Sequence, residues 1–144
     1  MNYSIRPANK EDYGFICTLS SEVFSEFGEY EEILPQWLVN PDVITVISLK
    51  KRRSLGFAML YTLNGEILAI AVSPEYQRKG IGTALFTYIE GIASQLGITR
   101  LLLHTAMENE MAQLFFQNVS FKVIGEQEQY YPRGQTALIM SKDI

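Results

Sequence analysis

Residues 77–83 read Gln-Arg-Lys-Gly-Ile-Gly-Thr, which sets two cations directly ahead of two glycines at the mouth of a segment with helical periodicity. An apolar strand-like run over 67–72 and a turn at Ser73-Pro74 precede it. A helix beginning near Ile81 leaves the amides of residues 78–83 unpaired at its N-terminus, where the helix dipole also favours negative charge. Glycine at 80 and 82 lets a ligand approach the backbone, and Arg78 and Lys79 add full positive charge. The chemistry this pattern serves is phosphate binding; the structural alternative is a solvated loop whose glycines only shape a turn.

Two familiar glycine loops fit poorly. In the P-loop the lysine follows the last glycine, whereas Lys79 precedes both. The dinucleotide fingerprint needs a third glycine or alanine where Leu85 stands, and it follows the first strand of a βαβ unit, not a hairpin.

The elements that must position this loop alternate along the chain. Residues 2–6 form a short strand, and Asn9-Lys10-Glu11-Asp12 offers a cap ahead of Tyr13, Ile16, Cys17, Leu19 and Val23, which recur at roughly helical spacing. Helix continues with breaks to Trp37 and Leu38. A turn at Pro41-Asp42 leads into a β-branched strand over 43–49. Strands over 55–63 and 66–72 are joined through Asn64-Gly65, a strong hairpin signal. Ile81, Leu85, Ile89, Ile92 and Leu96 mark a helix that stops at Gly97. A strand over 101–105, a helix over 108–118 and closing strands over 121–125 and 136–141 complete a mixed α/β sheet with helices on its faces.

With 144 residues, 47% hydrophobic and 19% charged, the chain suits a single domain spanning 1–144. A net charge of −4 argues against a general nucleic-acid binder, so any polyanion site is local. One cysteine and one histidine rule out an internal disulfide and a cysteine-rich metal site; no metal is expected. The N-terminus lacks an apolar signal core, and no apolar run is long enough for a bilayer, so a cytoplasmic protein without membrane association is expected. Monomer and homodimer are both compatible with the sequence.

The glycine loop and its flanks, Ala71-Val72-Ser73-Pro74-Glu75-Tyr76-Gln77-Arg78-Lys79-Gly80-Ile81-Gly82, resemble the acyl-CoA motif of the GNAT superfamily of N-acetyltransferases. The likeness runs over nearly the whole chain. Ile5-Arg6-Pro7-Ala8 with Glu11-Asp12 is similar to the family's opening, and Asn109, Ala112, Phe116 and Ser120-Phe121 are similar to its second motif. Phe116 replaces a tyrosine that in many members protonates the departing thiolate, and Ser120 replaces a glycine. The resemblance implies a mostly antiparallel sheet flanked by helices, acetyl-CoA as cosubstrate and a primary amine of a protein, peptide or small molecule as acceptor. A non-catalytic module that senses acyl-CoA or binds a partner is the alternative, kept open by Phe116.

By the same resemblance, the backbone of Ile70, Ala71 and Val72 pairs with the pantetheine arm, and Gln77, Arg78, Lys79, Gly80, Ile81, Gly82 and Thr83 hold the pyrophosphate. Asn109 bonds the arm and Phe116 packs near the thioester, although Ile70, Val72 and Phe116 also suit a plain core role. Aminolysis needs a neutral amine, and at pH 7 about one lysine amine in a thousand is neutral against roughly one α-amine in ten. A proton acceptor is therefore required. Glu66 stands where several members carry a catalytic glutamate, and His104 where ribosomal-protein acetyltransferases carry one; a solvated hairpin residue and a structural histidine are the rival readings. Tyr131, in Tyr130-Tyr131-Pro132, resembles a tyrosine pair of N-terminal acetyltransferases and is a candidate acid in place of residue 116. Glu22, Glu26, Glu29, Glu31 and Glu32, interleaved with Phe24, Phe27, Tyr30 and Trp37, would attract a cationic amine or simply form a solvated face.

Overall fold

The computed structural model describes residues 3–24 and 30–144. In chain order the elements are β1 (Ser4–Pro7), α1 (Tyr13–Phe24), α2 (Tyr30–Val39), β2 (Val43–Lys50), β3 (Arg53–Tyr61), β4 (Glu66–Val72), α3 (Ile81–Gln95), β5 (Arg100–Ala106), α4 (Glu110–Asn118), β6 (Lys122–Gln127) and β7 (Ala137–Asp143). The strands form one seven-stranded sheet in the order β1-β2-β3-β4-β5-β7-β6. Every neighbouring pair is antiparallel except β4 and β5.

The sheet is covered on both faces. Ile81, Leu85, Phe86, Ile89 and Ala93 of α3 pack with Val46, Leu55, Leu60, Leu101 and Leu103. On the opposite face Ile16 and Leu19 of α1 and Leu34 of α2 pack with Phe57, Met59, Ala69 and Ala71. The stripe expected on α3 ends one turn early, because a period of 3.6 carries it from Ile89 to Ala93, fully buried, and leaves Leu96 55% exposed at the C-cap. Pro35 lies inside α2, and residues 25–29, between α1 and α2, lie outside the described residues.

Three local features set the site. First, the hairpin between β3 and β4 is longer than Asn64-Gly65 alone suggested. Tyr61 pairs with Glu66, so residues 62–65 form the loop and Leu63 projects into solvent. Gly65 has φ +76°, and a Cβ there would stand 2.4 Å from the Arg100 carbonyl oxygen. Its own carbonyl accepts from the Leu102 amide at 3.0 Å, which fastens the turn to β5. Glycine is required by the close approach as well as by φ.

Second, β4 carries a bulge. Met59 pairs with Ala69 and Leu60 with Ile67, so Leu68 has no opposite residue on β3. The extra residue flips the strand's alternation. Ile67, Ile70 and Val72 pack on the α3 face, while Ala69 and Ala71 pack with α1 and α2. Third, β4 and β5 touch in the ladder only at Glu66 and Leu102. Beyond that vertex residues 67–72 have no ladder partner on the β5 side.

Among the described residues no helix is long and apolar enough to cross a membrane, and no group of three or more His, Cys, Asp and Glu stands close enough to hold a metal ion.

Candidate active site

The splay between β4 and β5 opens a cleft of about 660 Å³. One wall is Ile70, Ala71 and Val72; the floor is Gln77, Arg78, Gly80, Gly82 and Thr83; the other wall is the α4 face carrying Asn109, Met111, Phe115 and Phe116, with Val23 and Phe24 of α1 at the rim. An unpaired strand edge, a helix N-terminus and apolar walls thus meet in one place. The floor follows from its glycines. Gly80 is the N-cap of α3 at φ +85°, and the Ala84 amide gives the helix its first backbone bond by donating to the Gly80 carbonyl at 3.0 Å. The amides of Ile81, Gly82 and Thr83 precede that bond and face the cleft end of the helix dipole. At Gly82 a Cβ would lie 3.2 Å from Phe115 Cε1, so this glycine lets α4 close against α3.

The residues expected on the cosubstrate divide by what their side chains do. Ile70, Ala71, Val72, Gln77, Arg78, Gly80, Gly82, Thr83, Asn109 and Phe116 all line the cleft. Lys79 and Ile81 do not. The Lys79 ammonium stands 5.6 Å from the Tyr76 ring centroid, outside the cleft, and the Ile81 side chain is 4% exposed in the core, so only its backbone is available to the floor. Gln77 donates from Nε2 to the Val72 carbonyl at 3.0 Å, which ties the loop to the end of β4. Asn109 is the N-cap of α4, its Oδ1 accepting from the Ala112 amide at 3.1 Å, which is why the helix begins at 110 and not at 108. Phe116 is core and cleft wall at once, edge-on to Phe115 and Phe121.

At the vertex, Glu66 and His104 meet. The His104 Nδ1 to Glu66 Oε2 distance is 3.2 Å, with both side chains roughly a quarter exposed. The bulge at Leu68 places Glu66 on the face opposite Ile67, and alternation on β5 puts His104 opposite the buried Leu101 and Leu103, so both side chains share the α1–α2 face. Asn64 holds the carboxylate's other oxygen, Nδ2 donating to Oε1 at 3.4 Å, while its Oδ1 accepts from the Glu66 amide at 2.9 Å. The bond from His104, above all, holds the Glu66 carboxyl below the usual carboxylate range, against the opposing effect of burial. In the neutral imidazole, a carboxylate accepting from Nδ1 leaves Nε2 as a proton acceptor.

The tyrosine beside this pair is Tyr130, not Tyr131. The Tyr130 ring stacks flat on His104, centroids 4.5 Å apart at 4°, and burial followed by the Glu66 charge raises its phenol pKa. Tyr131 is turned into a small cluster with Ala106 and Ala137, 8% exposed, its ring edge-on to Tyr130. The resemblance pointed to the pair; the structure stacks Tyr130 on His104 of β5 and packs Tyr131 against Ala106 and Ala137, which are register partners. Of the acidic segment, Glu22 and Glu32 are exposed, as a solvated face would have them. Glu26, Phe27 and Glu29, and the side chains of Tyr30 and Glu31, lie outside the described residues.

Comparison with known proteins agrees with this geometry. The acetyltransferase (GNAT) family model matches residues 5–121. The Drosophila melanogaster protein named "Probable N-acetyltransferase san" is 32% identical over 138 residues, covering 95% of this chain and 67% of that one. The [ribosomal protein bS18]-alanine N-acetyltransferase of Escherichia coli K12 is 31% identical over 78 residues, 52% of this chain and 53% of that one. The crystal structure of the PaiA N-acetyltransferase from Thermoplasma acidophilum in complex with coenzyme A superposes with a TM-score of 0.80 over the full length of both chains, at 22% identity. The chain belongs to the GNAT family and is an acetyl-CoA-dependent N-acetyltransferase.

Proposed function

We propose that the enzyme acetylates a polypeptide α-amine, with acetyl-CoA lying along β4 and His104, oriented by Glu66, taking the proton. The observation that carries this reading is the Glu66–His104 contact at the vertex where β4 and β5 part.

The cleft suits acetyl-CoA on three counts. The ladder-free side of residues 67–72 can pair with an amide-bearing arm as an added strand does. The amides of Ile81, Gly82 and Thr83 with Arg78 suit a pyrophosphate. The apolar walls from Ile70 and Phe116 exclude water from the arm's end. When bound, acetyl-CoA supplies the acyl group already activated as a thioester. The protein's part is to hold, orient and accept a proton. Glu66 orients His104 through Nδ1, in the neutral imidazole Nε2 then accepts a proton from the incoming ammonium directly or through water, and Tyr130 keeps the imidazole plane in place by stacking. Positioning a neutral amine against the bound acyl group supplies the remaining rate.

An α-amine is favoured over a lysine because near neutral pH a group of pKa near 8 gives up its proton far more readily than one near 10.4. The E. coli relative, named for acetylation of an alanine of ribosomal protein bS18, supports the same class. The test is release of free CoA with a panel of peptides carrying free or blocked N-termini, lysine derivatives and small polyamines. Turnover confined to free α-amines is expected. Turnover with polyamines alone would overturn the acceptor class, and no CoA release with any amine would overturn the catalytic assignment of the pair.

A further inference from the structure

A second hollow, of about 590 Å³, lies open to solvent beside the glycine loop and is lined by Lys50, Lys51, Arg52, Arg53 and Tyr76. Half of the chain's 12 cations stand in residues 50–53 and 78–79, in a protein whose net charge is −4. Charge is therefore concentrated where the β2–β3 hairpin meets the loop. The contact between them is built, not incidental. Arg53 donates from Nη1 to the Tyr76 hydroxyl at 2.6 Å, and the Lys79 ammonium stands over the same ring. Lys51 holds the hairpin tip at φ +58°. Glu75 acts on Arg53 from a distance, and it raises the arginine's pKa less than Tyr76 does. Four cations packed into adjacent positions repel one another, and an unpaired surplus of this kind is relieved by an anion.

We propose that this hollow seats the 3′-phosphate of coenzyme A, so that the enzyme reads the terminal phosphomonoester separately from the pyrophosphate. The inference rests on acetyl-CoA occupying the cleft as proposed above. With the pyrophosphate on the amides of residues 81–83, the hollow lies on the hairpin side of the same loop, joined to it through Tyr76, one residue before Gln77. A phosphomonoester carries close to two negative charges at neutral pH and three acceptor oxygens, which suits lysine and arginine donors in a solvent-open seat. Dephospho-CoA keeps the pyrophosphate and the pantetheine arm and lacks only this group.

Calorimetric titration of CoA and dephospho-CoA into the wild type and into the Lys51→Gln/Arg52→Gln double variant tests the seat. Both substitutions fall on exposed hairpin residues, and Arg53 is left in place because it holds Tyr76. The wild type should bind CoA about tenfold more tightly than dephospho-CoA, the lower end of what charge-assisted hydrogen bonds supply, with the ratio shrinking at high salt. The double variant should bind both ligands as the wild type binds dephospho-CoA. Equal affinities in the wild type, or a variant that weakens both ligands by the same factor, would overturn the seat. Absence of binding by both ligands in the wild type would instead overturn the cleft reading on which it rests.

Discussion

At the scale of single residues, the vertex pair assigns different tasks to two groups that sequence alone treats as equals. The bond from His104 lowers the Glu66 pKa, so Glu66 stays ionised throughout the neutral range and has little tendency to take up a proton there. His104→Ala is expected to lower kcat by about 10²–10⁴-fold, with acetyl-CoA affinity unchanged by calorimetry. Glu66→Gln should cost less, and the double variant should be little worse than His104→Ala, because groups acting as a unit are not additive. Full activity in His104→Ala would remove the base assignment. Tyr130→Phe keeps the ring that stacks on His104 and should retain most activity, whereas Tyr130→Ala should lower kcat; equal effects would show that the hydroxyl matters more than the stack.

At the scale of elements, the glycine loop and the turn after α4 make opposite use of left-handed backbone. Gly80 at φ +85° caps α3 where the pyrophosphate is proposed to lie, and Gly80→Asp should abolish the rise in melting temperature that acetyl-CoA gives the wild type, by adding both strain and a carboxylate. An unchanged thermal shift in the variant would refute the loop assignment. Ser120, directly after the α4 C-cap, has φ +77°, a conformation that costs a non-glycine residue about 1 kcal/mol or more. Ser120→Gly should therefore stabilise the protein by about 0.5 kcal/mol once the added flexibility of the unfolded chain is counted, read as a higher urea midpoint at constant m. The resemblance expected glycine at this position, and the dihedral is one that glycine adopts without strain.

At the scale of the whole molecule, an ion pair with a buried carboxylate joins the sheet edge to the first helix. Asp12 is 6% exposed, accepts from Arg6 Nη1 at 2.7 Å and from the Asn9 amide at 2.8 Å, and so links β1 to the start of α1. The Arg6 bond holds its carboxyl below the ordinary range. A depressed carboxylate contributes stability above its unfolded pKa and loses it as pH falls through the folded value. Asp12→Asn should accordingly cost about 1–2 kcal/mol at pH 7, and the gap to wild type should close on acidification below about pH 4. A gap independent of pH would show that shape, not charge, holds the contact.

The order of strands and helices, most of the α3 stripe and the glycine loop that caps α3 were legible in the chain, because each is written in local signals: β-branched runs, a 3.6 period, and glycines behind cations. Cleft residues read from the loop motif line the cleft with the exceptions of Lys79 and Ile81, whose side chains turn out of it. Which face Glu66 takes, which tyrosine meets His104 and that β4 parts from β5 after one pair were not legible. Each depends on register between segments far apart in sequence. Leu68 becomes a bulge only against β3, His104 finds Glu66 only because 38 residues of chain return β5 to the vertex, and Tyr130 reaches the imidazole from the segment between β6 and β7. A strand's side-chain period of two makes a one-residue shift reverse every face, so local pattern fixes that a strand exists and tertiary pairing decides what it presents.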